Sequence, residues 1–159
     1  MTEKPRHVPD GYGTLTPYII VDGASSAIAF YERAFAAREV MRLDGPAGRI
    51  GHAELAIAES KIMLADQFPD FGAHAPAHYG GSPVSLHLYV ADADATVARA
   101  VAAGAAIVRD VADEFYGDRL GTIRDPFGHI WHIATRKENL SMEELRRRAA
   151  ERARQAQAG

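Results

Sequence analysis

Three imidazoles and one carboxylate stand out among the polar residues of this chain: His52, Glu54, His87 and His132 all fall in segments where apolar and polar residues alternate. Successive side chains of a strand point to opposite faces of its sheet. Leu55, Ile57, Ile62, Leu64, Leu86, Leu88, Val90, Trp131 and Ile133 therefore mark one face as core. The residues between them, His52, Glu54, Met63, Ser85, His87, Tyr89 and His132, share the other face with Thr16 and Tyr18, and these nine are the candidate ligand-binding residues. Three imidazoles and a carboxylate are a donor set that a divalent metal accepts, and Glu54 is alternatively a candidate general base. His52 and Glu54 lie two residues apart on one strand, ~6.5–7 Å along the backbone, so they share an ion only if twist and rotamers bring them together. A polar sheet face can also simply be solvated. Imidazole, carboxylate, phenol and hydroxyl groups gathered beside Met63 and Tyr89 point instead to a ligand pocket. His7, His74 and His78 read as solvent or loop residues.

The elements that must position these groups come as a repeat. Residues 15–65 and 84–134 each read as strand, helix and three strands, offset by 69 or 70 positions. Val21 matches Val90, Gly51 matches Gly121, and Ile62-Met63-Leu64-Ala65 matches Trp131-His132-Ile133-Ala134. The first helix, expected over roughly 25–37 with Asp22 as cap, carries Ile28, Tyr31 and Phe35 on one face; the second, over 93–103, is capped by Asp92 and ended by Gly104. Asp125-Pro126-Phe127-Gly128 has the residues of a tight turn between two strands. One unit of about 60 residues is marginal alone, so the sequence reads as one domain over 14–135 built from two units. The fold class is α+β: two βαβββ repeats forming a curved mixed sheet with a concave ligand cleft, plus a C-terminal helix.

Around that domain, residues 1–13 read as a flexible lead-in, and 66–83, rich in proline and glycine, as a long loop joining the repeats whose aromatics can close over a ligand. Residues 136–159 form a helical extension opened by the capping box Ser141-Met142-Glu143-Glu144. The five arginines after that box, 146, 147, 148, 152 and 154, alternate with glutamates and read as a solvated or dimer-edge helix rather than a nucleic-acid patch. With 47% apolar and 25% charged residues, net charge −3 and no cysteine, the composition is that of an ordinary globular domain with no global pull toward nucleic acid or a membrane surface. No apolar run approaches the ~18 residues of a membrane span, and the N-terminus lacks the apolar core of a secretory signal, so a cytoplasmic location is expected.

The doubled unit, the Ala29-Phe30-Tyr31 segment and Asp125-Pro126-Phe127-Gly128-His129 closely resemble the vicinal oxygen chelate superfamily over about residues 14–135. That superfamily includes glyoxalase I, bleomycin and fosfomycin resistance proteins and extradiol dioxygenases. The resemblance is strongest to small bacterial members known as glyoxalase-like or demethylubiquinone-methyltransferase-like proteins. Enzymes of this kind hold a divalent metal with one ligand from the first and one from the last strand of each repeat. The resemblance puts Thr16, Met63, Ser85 and His132 at those places, and only His132 is a good ligand.

The leading expectation is a homodimeric small-molecule-binding member of the superfamily, with no metal or other cofactor and no nucleic-acid or membrane partner. The alternative is an enzyme, a metal-dependent lyase, isomerase or dioxygenase, using a divalent ion held by the shifted cluster His52, Glu54, His87 and His132. A third reading is an interaction module with a vestigial cleft. No glycine-rich cofactor loop follows a strand, so methyl transfer has no support.

Overall fold

A computed structural model describes residues 5–158. The first repeat runs β1 (Tyr18–Val21), α1 (Ala24–Phe35), β2 (Arg38–Asp44), β3 (Ile50–Ile57) and β4 (Ser60–Asp66). The second runs β5 (Ser85–Tyr89), α2 (Ala93–Ala102), β6 (Ala106–Asp113), β7 (Asp118–Arg124) and β8 (Ile130–Arg136), and α3 (Met142–Gln157) follows. Each repeat forms its own four-stranded mixed sheet, ordered β1-β4-β3-β2 and β5-β8-β7-β6, in which the first strand lies parallel to the last. This is an α+β fold of two βαβββ units.

The chain divides into two compact units: residues up to Ser82 together with Pro126–Gly128, and Pro83–Asp125 with the chain from His129. In the first, α1 lays Ile28, Phe30, Tyr31 and Phe35 on the face of the sheet from which Leu55 and Leu64 project, all of them buried. Burial of each such side chain contributes ~1.5–3 kcal/mol. In the second, α2 is thinner, burying Ala93, Thr96, Val97 and Ala100 over Ile123, Trp131 and Ile133. Its close approach requires Gly121, where a Cβ would lie 2.7 Å from Val111 Cγ2 and 3.2 Å from Val97 Cγ2.

The expected cap of α1 is corrected. Asp22 is exposed and caps nothing; Gly23 is the N-cap, in a left-handed conformation with no side-chain bond. The carboxylate that satisfies this helix start comes from β4 instead: Asp66 Oδ1 accepts from the backbone N–H groups of Gly23 (2.8 Å) and Ala24 (2.9 Å). In the second repeat the matching position is Thr135, whose hydroxyl accepts from Ala93 N–H (2.8 Å) and donates to the Val90 carbonyl (2.9 Å). Asp92 does cap α2, accepting from Ala95 N–H, and Ser141 caps α3, accepting from Glu144 N–H.

The Asp125–Gly128 turn is held by the Asp125 carboxylate, which accepts from His129 N–H and Trp131 Nε1–H, both at 2.9 Å. Its residues 126–128 belong to the first unit, where the Phe127 ring centroid lies 6.3 Å from that of Phe30 and 6.4 Å from that of Tyr31. The 66–83 segment carries more structure than its composition suggests: short 3-10 turns at Pro69–Phe71 and Pro76–Tyr79, a bridge between Phe68 and Ala73, and buried Ala75 and Pro76. Of the lead-in, residues 1–4 lie outside the described residues, while Tyr12 sits beneath the Lys61 ammonium, 5.6 Å from its ring centroid. Helix α3 buries no residue and is tied down by Arg148, which pairs with Glu138 and Glu144 and donates to the Phe115 carbonyl. Among the described residues no helix is long and apolar enough to cross a membrane.

Candidate functional site

The pairing register of the first sheet decides which side chains meet on the face away from α1. Tyr18 is opposite Met63, and Met63 is opposite Glu54, so phenol, thioether and carboxylate line up across three strands. His52 joins them from the same face of β3. Its Nδ1 lies 3.0 Å from the Tyr18 hydroxyl and its Nε2 lies 3.1 Å from Glu54 Oε1. The carboxylate accepts, so in the neutral ring the proton sits on Nε2 and Nδ1 accepts from the phenol. Partial burial of the half-exposed Tyr18 raises its phenol from the ordinary value, so it is protonated and a donor.

Beside this chain of bonds the same unit holds a cavity of about 400 Å³. Its floor is Tyr18, Ile20, Ile50 and Ala65, residues of the same sheet face; Gly45, Pro46 and Arg49 border it from the turn between β2 and β3, and Phe68, Phe71 and Ala73 from the segment after β4. Asp66 also reaches it, but that carboxylate is engaged three times over, accepting from Ile50 N–H (2.8 Å) as well as from Gly23 and Ala24. Burial pushes the Asp66 carboxyl up; the three backbone donors and the Arg49 guanidinium outweigh it and hold the group below its ordinary value. Arg49 is half exposed and only loosely paired, 3.5 Å from Asp22 and 3.8 Å from Asp66.

The corresponding face of the second sheet carries His87, directly opposite His132 in register, with ring centroids 6.0 Å apart. Tyr89 stands over His87 at 4.7 Å and its hydroxyl donates to Asp118 at 3.2 Å. His132 Nδ1 is 2.9 Å from the hydroxyl of Thr122, a partner the sequence did not suggest. Burial, then His87 and Arg109, lowers the His132 imidazole from its ordinary value.

Of the nine candidate residues, the structure joins Tyr18, His52 and Glu54 by hydrogen bonds and sets Met63 among them; His87, Tyr89 and His132 form a second group on the second sheet. Thr16 precedes β1, and Ser85, at the start of β5, is opposite Ile130 rather than His132. The residues missed are the apolar floor, Ile20, Ile50 and Ala65, together with Arg49. Ile20 and Ile50 share the alternation of Tyr18 and His52, so period points them to this face, but a large apolar side chain in a strand signals core and carries no sign of a cavity. Among the described residues, no group of three or more His, Asp or Glu side chains is arranged to hold a metal ion.

This arrangement of two βαβββ units agrees with a family model that matches residues 12–133, that of the glyoxalase/bleomycin resistance protein/dioxygenase superfamily. The chain belongs to that superfamily. An uncharacterised protein of Mycobacterium tuberculosis H37Rv is 42% identical over 134 residues, covering 82% of this chain and 79% of its own length. The X-ray structure of an Arabidopsis thaliana gene product matches at 30% identity with a TM-score of 0.64, over 77% of this chain and 98% of its own. The fosfomycin resistance protein FosX of Listeria monocytogenes shares the fold, with a TM-score of 0.63 at 14% identity over 84% of this chain and 97% of its own.

Proposed function

We propose that this superfamily member binds a small organic molecule, largely apolar and carrying an acidic group, on the open face of its first sheet. The observation that carries the reading is the cavity of about 400 Å³, walled by Ile20, Ile50, Phe68 and Phe71 and bordered by the loosely paired Arg49. That volume lies in the range of small-ligand sites, about 300–1,000 Å³, and a mostly apolar wall with a few placed polar groups is what such sites share. A guanidinium offers a carboxylate or other oxyanion two parallel donors. Asp66 does not compete for it strongly, because its own lone pairs are occupied by backbone N–H groups.

The metal of related enzymes does not fit these residues. Thr16, Met63, Ser85 and His132 are one good ligand and three poor ones. In the shifted set, both ring nitrogens of His52 are already hydrogen-bonded, to Tyr18 and to Glu54. These residues therefore support sequestration or recognition of a small molecule. Stoichiometric metal in protein reconstituted with zinc, nickel, manganese or iron(II) would overturn that part. A homodimer completes the reading, supported by the exposed apolar side chains of Val101, Ile107 and Val108 on α2 and β6.

The test is a titration with anilinonaphthalene sulfonate, an aromatic anion whose emission rises in apolar surroundings. Wild-type protein should bind it saturably. Ile20→Trp, which fills the cavity, and Arg49→Gln, which removes the cation, should each weaken binding by about tenfold, equivalent to about 1.4 kcal/mol. Binding that both variants leave unchanged would place the ligand elsewhere.

A further inference from the structure

We propose that Glu54, His52 and Tyr18 form a proton relay serving this cavity, and that its ligand is a molecule with a weakly acidic hydroxyl, a phenol or an enol, whose proton the relay takes up so that the ligand is held as the anion. The inference rests on the cavity reading above. Its basis is the hydrogen-bonded order: Glu54 carboxylate to His52 Nε2 at 3.1 Å, His52 Nδ1 to the Tyr18 hydroxyl at 3.0 Å. Tyr18 is the member of the chain that lines the cavity; His52 and Glu54 stand behind it, 24% and 14% exposed in their side chains.

With its hydrogen committed to His52, the Tyr18 oxygen has only lone pairs to offer a ligand, so it selects a partner that donates. A ligand hydroxyl is such a donor. Proton transfer then follows without a further reactant: the ligand O–H bond breaks and its proton goes to the Tyr18 oxygen. The Tyr18 O–H bond breaks in turn and its proton goes to His52 Nδ1. The products are a ligand oxyanion and an imidazolium whose charge faces the Glu54 carboxylate. An imidazole oriented by a carboxylate on its other nitrogen is the arrangement that stabilises imidazolium in acid–base sites. Arg49 borders the same cavity and favours the oxyanion; Lys61, the other cation on the adjoining strand β4, is directed to the Tyr12 ring. The apolar wall suits an unsaturated ring or chain bearing that hydroxyl.

The experiment uses 4-nitrophenol, whose absorption moves to longer wavelength on ionisation, at a fixed pH about one unit below its free midpoint. Bound to the wild-type protein, the probe should show a phenolate-to-phenol ratio about tenfold above that of free probe, a shift of one pKa unit. Tyr18→Phe and His52→Ala should each lose most of that rise while the dissociation constant changes by less than about fivefold, or ~1 kcal/mol. Glu54→Gln, acting through His52 as a positioning residue, should lower the ratio as well. Saturable binding with the ratio of free probe, or a rise that survives in both Tyr18→Phe and His52→Ala, would overturn the relay and leave the cavity standing. No saturable binding to the wild-type protein would overturn the cavity reading and the relay with it.

Discussion

Replacing Asp66 with alanine should cost the first unit more stability than any exposed carboxylate could. Its two oxygens take up three backbone N–H groups, those of Gly23 and Ala24 at the start of α1 and that of Ile50 at the start of β3, at 2.8, 2.9 and 2.8 Å. The side chain is 7% exposed, so water does not replace what is removed. Hydrogen bonds to a charged acceptor are worth ~1.5–3 kcal/mol each, and the low end of that range for three bonds puts the loss at about 4–5 kcal/mol. Asp66→Asn keeps one acceptor oxygen but turns an amide donor toward one of the N–H groups, so a loss of about 2–3 kcal/mol is expected. The assay is urea denaturation followed by circular dichroism, with amide exchange at Gly23, Ala24 and Ile50 as the local readout. The pH dependence has a fixed sign. The folded carboxyl lies below its ordinary value, so its contribution is full above the unfolded pKa and is lost as pH falls through the folded pKa; Asp66→Asn should flatten that acid limb. Exchange at those three amides unchanged in Asp66→Ala, with a denaturation midpoint equal to wild type, would refute the reasoning.

Trp131→Ala removes a 2%-exposed ring and leaves Asp125 without its indole donor, so a loss of ~3–5 kcal/mol is expected in thermal or urea unfolding. Gly128 has φ +94° and a Cβ there would lie 2.8 Å from Pro76 Cβ; Gly128→Val should lower stability by ~1–3 kcal/mol, and an unchanged melting curve would count against the turn geometry. For His132, the lowered pKa means that the folded state resists protonation, so stability should fall as pH drops from the ordinary value of 6.5 toward the folded one, and His132→Gln should remove that component from a pH series of melts. Sedimentation at micromolar concentration should show a dimer; a stable 17.2 kDa species would refute the assembly.

The order of elements was legible in the sequence because alternation and the near-constant repeat offset are local signals. They set Leu55 and Leu64 on one face and His52 and Glu54 on the other, and the burial of the first pair beneath α1 follows from period alone. Asp92 and Ser141 were legible as caps because a cap bonds to an N–H three residues away in its own segment. Asp66 was not, since it reaches a helix start 42 residues upstream, and the nearer Asp22 offered the same chemistry by sequence. Nor was the bond from His52 to Tyr18, 34 positions apart, which only the pairing of β1 beside β4 and β4 beside β3 creates. The sequence determined which side chains share a face; the tertiary structure decided which of them touch, because contact depends on strand order and register, which alternation within one strand does not encode.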